Sequence, residues 1–164
     1  MTGPLRLSFV VSCEPATAFR TWTSRASTWW PQDHSVSGER GTTVIFEGRK
    51  GGRIFERTPS GVEHEWGTVT AWAPPSRLAY TWHIHFAPEE ATDVEIRFVD
   101  IGDNKTRVEI DHQGWERLGN RAQERQEGNR RGWASVLPYF VEAAETFAHG
   151  RDTAVGDIAE RGEI

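Results

Sequence analysis

The chain has 164 residues, eight of them tryptophan, with a single cysteine and a formal net charge of −5. That length suits one domain with a real core, and the acidic balance (pI near 5.7) argues against a surface for nucleic acid or an anionic membrane. The lone Cys13 excludes an intrachain disulfide and a cysteine-built metal site, and points to a reducing, cytoplasmic setting.

Residues 1–7 lack the basic and apolar segments of a signal peptide, and no run approaches the ~20 apolar residues of a membrane span. Leu5, Leu7, Phe9 and Val11 alternate with Arg6, Ser8 and Val10 and predict a first strand with one clearly apolar face. Glu14-Pro15 then starts a helix, with Ala16, Phe19 and Trp22 on its buried side. A second short helix runs through Ala26 and Trp29-Trp30 to a stop at Pro31. Residues 32–41 read as a loop, 42–47 as the second strand and 53–57 as the third, with a glycine-rich turn between the two strands. The fourth strand, 62–72, contains Gly67, a bulge or bend signal. The fifth places Leu78, Tyr80, Trp82, Ile84 and Phe86 on one face, with Ala79, Thr81, His83 and His85 on the other. Val94, Ile96 and Phe98 define the sixth strand, and Val108, Ile110 and His112 the inner face of the seventh.

A turn at 114–119 leads into a long helix, 121–149. Trp133, Val136, Leu137, Phe140, Val141, Ala144, Phe147 and Ala148 recur at helical spacing and form one apolar stripe. The first half of this helix is polar, Gly128 and Gly132 weaken it, Pro138 should kink it, and Gly150 should stop it. Residues 1–150 therefore form one domain, and 151–164 read as a disordered tail. One amphipathic helix beside a strand-rich remainder must bury its stripe on the sheet.

This order of one strand, two short helices, six strands and a long carboxy-terminal helix resembles the α+β helix-grip fold of the START/Bet v 1-like superfamily. Ala18-Phe19, Trp22-Thr23 and Trp29-Trp30-Pro31 are similar to the opening of the family named after the activator of Hsp90 ATPase. So are Phe46-Glu47, Gly51-Gly52, Glu56, Trp66-Gly67-Thr68-Val69, Pro74-Pro75 with Leu78, and Thr81-Trp82. At the carboxy end the match continues through His112, Gly114-Trp115, Leu118-Gly119 and Gly132-Trp133. The resemblance covers residues 5–149 and is to the compact bacterial single-domain members; the Hsp90-binding domain of the eukaryotic co-chaperone has no counterpart in the sequence. It implies a cavity between a curved antiparallel sheet and the long helix. Relatives use that space for a lipid, polyketide, hormone or other apolar molecule, and some are cyclases, dehydratases or hydroxylase components. It implies no shared catalytic set and no cofactor.

Within that frame Glu56 is the first candidate. It shares strand parity with Ile54, and if both face inward, desolvation would raise its pKa unless it is paired, suiting a general acid or a ligand-orienting group. If Phe55 faces inward instead, Glu56 is solvated. His112 could hydrogen-bond a ligand, pair with Glu56 or meet the Trp115 indole, or serve as a satisfied core residue; His64 raises the same question through its parity with Trp66. Trp29, Trp30, Trp66, Tyr80, Trp82 and Trp133 form the candidate pocket wall, with core packing as the alternative for each singly. His83 and His85 resemble a metal pair, but both lie opposite the apolar row and lack a third ligand, so no metal site is expected. The glycine-rich turn lacks the spacing of a phosphate-binding loop, and no nucleophile stands in a triad context.

The reading is a binder of a hydrophobic small molecule, with Glu56 and His112 as orienting groups and the catalytic residues unknown. One alternative is a cyclase, dehydratase or hydrolase using Glu56 as acid or base. Another is a protein-interaction module, which would have a filled core and an exposed apolar patch. A homodimer could form through an edge strand or the helix.

Overall fold

A computed structural model describes the backbone of residues 2–162 and the side chains of residues 2–150. Seven strands make one antiparallel sheet: β1 (Leu5–Val11), β2 (Thr43–Phe46), β3 (Arg53–Arg57), β4 (Glu63–Ala73), β5 (Arg77–Trp82), β6 (Thr92–Asp100) and β7 (Thr106–Gln113). Their order is β1-β7-β6-β5-β4-β3-β2, so β2 to β7 form a meander and β1 closes beside β7. The helix α1 (Pro15–Trp22) and a 3-10 turn at Ala26–Thr28 lie between β1 and β2. The long α2 (Ala122–Gly162) packs against β1 and α1, as the helix-grip architecture requires.

Strand alternation builds the inner face. Val94, Ile96 and Phe98 of β6 pair in register with His112, Ile110 and Val108 of β7, and all six are buried. Trp133, Val136, Phe140 and Ala144 of α2 are buried above them, with Leu137, Val141 and Ala148 partly covered. The Phe140 ring lies 4.8 Å from Trp22, 5.4 Å from Trp29 and 6.1 Å from Phe9, joining α2 to α1, the 3-10 turn and β1. Aromatic rings in edge-to-face contact thus fill the space beneath the middle of α2, around Phe140.

Five local expectations change. Ala18, not Ala16, is buried in α1, because Ala16 stands about 200° around the helix from Ala18. The second short helix is a single 3-10 turn, since Ser27 is tied to β2 through Val44 N–H (2.6 Å) and the Val44 carbonyl (3.0 Å). The loop at 32–41 contains a further 3-10 turn at Gln32–His34. The fifth strand ends at Trp82 instead of continuing to Phe86: the Phe86 amide donates to the His83 carbonyl (2.7 Å), and His85 sits at φ 68, so the last alternating residues form a turn. The stop expected at Gly150 is not made: the helical backbone of α2 continues to Gly162, since an isolated glycine in a helix costs only about 1 kcal/mol. The side chains of the tail expected to be disordered at 151–164 lie outside the described residues.

Gly67 does mark a bulge. Ile54 pairs with Gly67 while Phe55 pairs with Glu65, leaving Trp66 as the extra residue in β4. A Cβ at Gly67 would overlap the Thr81 carbonyl, so the bulge depends on the missing side chain. The Trp66 carbonyl in turn accepts the His83 amide (2.8 Å) and fixes where β5 gives way to its turn.

Candidate functional site

Free space remains beneath the first half of α2. A cleft of about 660 Å³ lies between α2, the turn at 83–86 and the segment from Trp30 to His34. Its apolar walls are Trp30, Trp82, Trp133, Ile84, Phe86 and Val136; Arg125, Asn129 and Arg131 reach it from the helix, and Arg121 from the residue just before it. Gly128 and Gly132 border the same space, and a Cβ at Gly132 would meet nothing within 4 Å. Small residues at these two helical positions leave room that larger ones would fill.

The turn that closes the cleft is held by His83. Its Nδ1 donates to the Phe86 carbonyl (3.1 Å), and its Nε2 lies 3.4 Å from a Glu65 carboxylate oxygen. Phe86 is 42% exposed, yet its ring sits 3.3 Å from the Arg125 guanidinium carbon. Arg125 also donates to the Glu90 backbone carbonyl (3.4 Å), and its Nη1 is 3.6 Å from Glu90 Oε1. That carboxylate oxygen is much closer to Arg121 Nη2, at 2.5 Å. The Arg125 side chain is only 10% exposed, and burial lowers its pKa, with Glu90 opposing the shift.

Glu56 faces inward from β3 with Ile54, while Phe55 points out beneath the Arg53 guanidinium at 4.0 Å. Its carboxylate is wholly buried but fully engaged. Oε1 accepts from the Val36 amide (2.5 Å) and the Trp66 indole (2.8 Å), and Oε2 accepts from the Ser37 amide (3.1 Å). Desolvation pushes its pKa up, but these hydrogen bonds outweigh burial and hold it below the ordinary carboxylate value. The group is therefore an ionised clamp between β3, the bulge in β4 and the segment at 36–37.

His112 is likewise fully buried. The Trp133 indole donates to its Nδ1 (3.1 Å), so Nε2 carries the proton and donates to Thr92 Oγ1 (2.7 Å). Trp115 packs its ring 4.3 Å from the imidazole and donates to the His112 carbonyl (2.8 Å). Desolvation first, and the Arg125 charge second, push the His112 pKa down to about 3.

Of the residues singled out in the sequence, Trp30, Trp82 and Trp133 line the cleft. Trp66 stands behind Trp30 (5.0 Å) and Trp82 (5.7 Å). Tyr80 is buried beside Phe46 and Trp82, its phenol pKa raised by burial. His64 is half-buried and pairs across the strands with Glu56. Glu56 and His112 touch the wall from behind, through Trp66 and Trp133 respectively. Arg125, Phe86 and Gly132 escaped sequence reasoning. Extending the α2 stripe backwards at steps of 3 and 4 from Val136 reaches Gly132, Asn129 and Arg125, and that periodicity was the available signal.

Residues 12–145 match the family model described as Activator of Hsp90 ATPase homolog 1-like protein. Among curated proteins, none matches the chain. The solved structure of an anthrahydroquino-gamma-pyrone synthase, Txn09, is 36% identical, with a TM-score of 0.55 over 75% of this chain and 84% of that one. CalC, a self-sacrificing resistance protein from Micromonospora echinospora, is 26% identical, with a TM-score of 0.63 over 91% of this chain and 96% of its own. Protein NE0264 from Nitrosomonas europaea shares the fold at 15% identity, with a TM-score of 0.59 and coverage of 87% and 94%. A family match across most of the sequence, joined to the helix-grip architecture, makes this chain a member of the activator of Hsp90 ATPase homolog 1-like family.

Proposed function

We propose that the chain binds an aromatic or otherwise apolar small molecule in the cleft beneath the first half of α2. The observation that carries this reading is the wall of three indoles and Phe86 around a volume of about 660 Å³, the size range of small-molecule sites. Trp30, Trp82 and Trp133 offer flat apolar area, and two of their indole N–H groups are directed elsewhere: that of Trp30 donates to the His34 carbonyl and that of Trp133 to His112.

The test uses the open space at Gly132. Gly132 lines the cleft and a Cβ there meets nothing within 4 Å, so Gly132→Phe is the substitution chosen to fill it. Titration with a neutral aromatic probe, followed by tryptophan fluorescence, should show saturable quenching in the natural sequence and at least about tenfold weaker binding in the variant, with the unfolding midpoint preserved. Equal affinity in both proteins would remove the cleft as the binding site. Native mass spectrometry of protein from its own host would then identify any co-purifying molecule.

A cyclase-type enzyme is the second reading, favoured by the 36% identity to a protein named a pyrone synthase. Glu56 is its acid or base candidate. What weighs for binding over this role is that both Glu56 oxygens are occupied by protein donors. Loss of turnover in Glu56→Gln with folding and ligand affinity intact would favour the enzyme. Failure to bind any apolar probe would favour a protein-interaction module.

A further inference from the structure

Arg125 is the least satisfied charged group around the cleft. It lines the cleft, its side chain is nine-tenths buried, and its Nε and Nη1 make no hydrogen bond. The approach of Nη1 to Glu90 at 3.6 Å is too long for one. Glu90 is already claimed by Arg121, so this corner holds two guanidinium groups against one carboxylate. Of the acidic residues that also line the cleft, Asp33 and Glu124 are exposed to solvent. A desolvated cation with unpaired N–H groups is costly, and a carboxylate is the partner that best matches a guanidinium.

Resting on the binding reading above, we propose that the natural ligand is an aromatic acid. Its flat apolar body lies against Trp30, Trp82 and Trp133, and its carboxylate pairs with Arg125. The Phe86 ring covers a face of the guanidinium, whereas hydrogen bonds form in its plane, so stacking and anion capture are compatible at one side chain. In this reading the Arg125 stem rotates when the ligand binds, so that its unpaired N–H groups, buried in the structure, turn into the cleft.

The experiment compares anthracene-2-carboxylate with anthracene-2-carboxamide, two probes of the same shape, by tryptophan quenching of the full chain at neutral pH. The carboxylate should bind about tenfold tighter than the amide. Arg125→Met should erase that preference by weakening the carboxylate, with the amide changed by no more than about threefold. The amide also reports that the variant is folded. If both probes bind the natural protein equally, the acid assignment falls and the apolar cleft stands. If Arg125→Met weakens both alike, Arg125 is only part of the wall and the assignment again falls. If neither probe binds the natural protein, the cleft reading and this one fall together.

Discussion

His112 and Glu56 are both buried ionisable groups, yet they are stabilised in opposite charge states. His112 is neutral because its environment supplies one donor, the Trp133 indole, and one acceptor, Thr92, and admits no counter-ion. Glu56 is charged because three N–H groups converge on it. For His112 the folded pKa is depressed from 6.5 to about 3. As pH falls below 6.5 the unfolded chain takes up a proton that the folded chain refuses, so stability declines across the window from 6.5 to about 3. The slope from this group is about 1.4 kcal/mol per pH unit inside that window. Glu56 acts lower. Its contribution is present above the ordinary value of 4.5 and is lost as pH falls through the depressed folded value. Chemical denaturation from pH 7 to 4 should show the His112 slope, and His112→Gln should lower stability at pH 7 while flattening it. Equal slopes in the two proteins would show that another group controls acid lability. The parity of both residues was legible in their strands. Their partners, 20 or more residues away for Thr92 and Trp133, were not, because parity selects a face and not a neighbour.

At the scale of elements, the contact between the Trp66 bulge of β4 and the end of β5 sets the position of the cleft. The Trp66 bulge, the Thr81 carbonyl against Gly67 and the turn at 83–86 form one continuous device. Gly67→Ala should therefore cost about 3 kcal/mol or more, since the added carbon meets backbone that cannot step aside. Gly132→Ala is the contrasting control: its Cβ enters open space, and replacing a helical glycine should stabilise by about 1 kcal/mol. Urea unfolding of the pair checks both signs, and a mild effect of Gly67→Ala would show that the bulge can relax. The bulge itself was visible in sequence, because a glycine inside a strand pattern has few other uses. The turn at 83–86 was not: apolar and polar residues continue to alternate there, and only the backbone hydrogen bond and the left-handed His85 reveal the break.

For the molecule as a whole, one aromatic side chain connects elements that lie far apart in the sequence. Phe140 meets rings from β1, α1 and the adjoining 3-10 turn. Phe140→Ala should cost about 3–5 kcal/mol, the range for emptying a large buried aromatic site, measured by guanidinium unfolding. A loss below about 1 kcal/mol would show that neighbouring rings collapse into the space. The wider arrangement followed from periodicity: seven alternating runs and one helical stripe admit few ways of burying their apolar faces other than helix on sheet. Sequence by itself thus determined the order of elements, the inward faces of β6 and β7 and the stripe on α2, while it left Trp30, Trp82 and Trp133 among six aromatic residues that could serve core or wall alike. Tertiary structure alone decided that Glu56 and His112 stand behind the wall, and that Arg125, from the polar half of α2, is buried beside Phe86. The physical reason is range. Local pattern records which side of an element is apolar, whereas pairing, desolvation and empty volume arise only where distant segments meet.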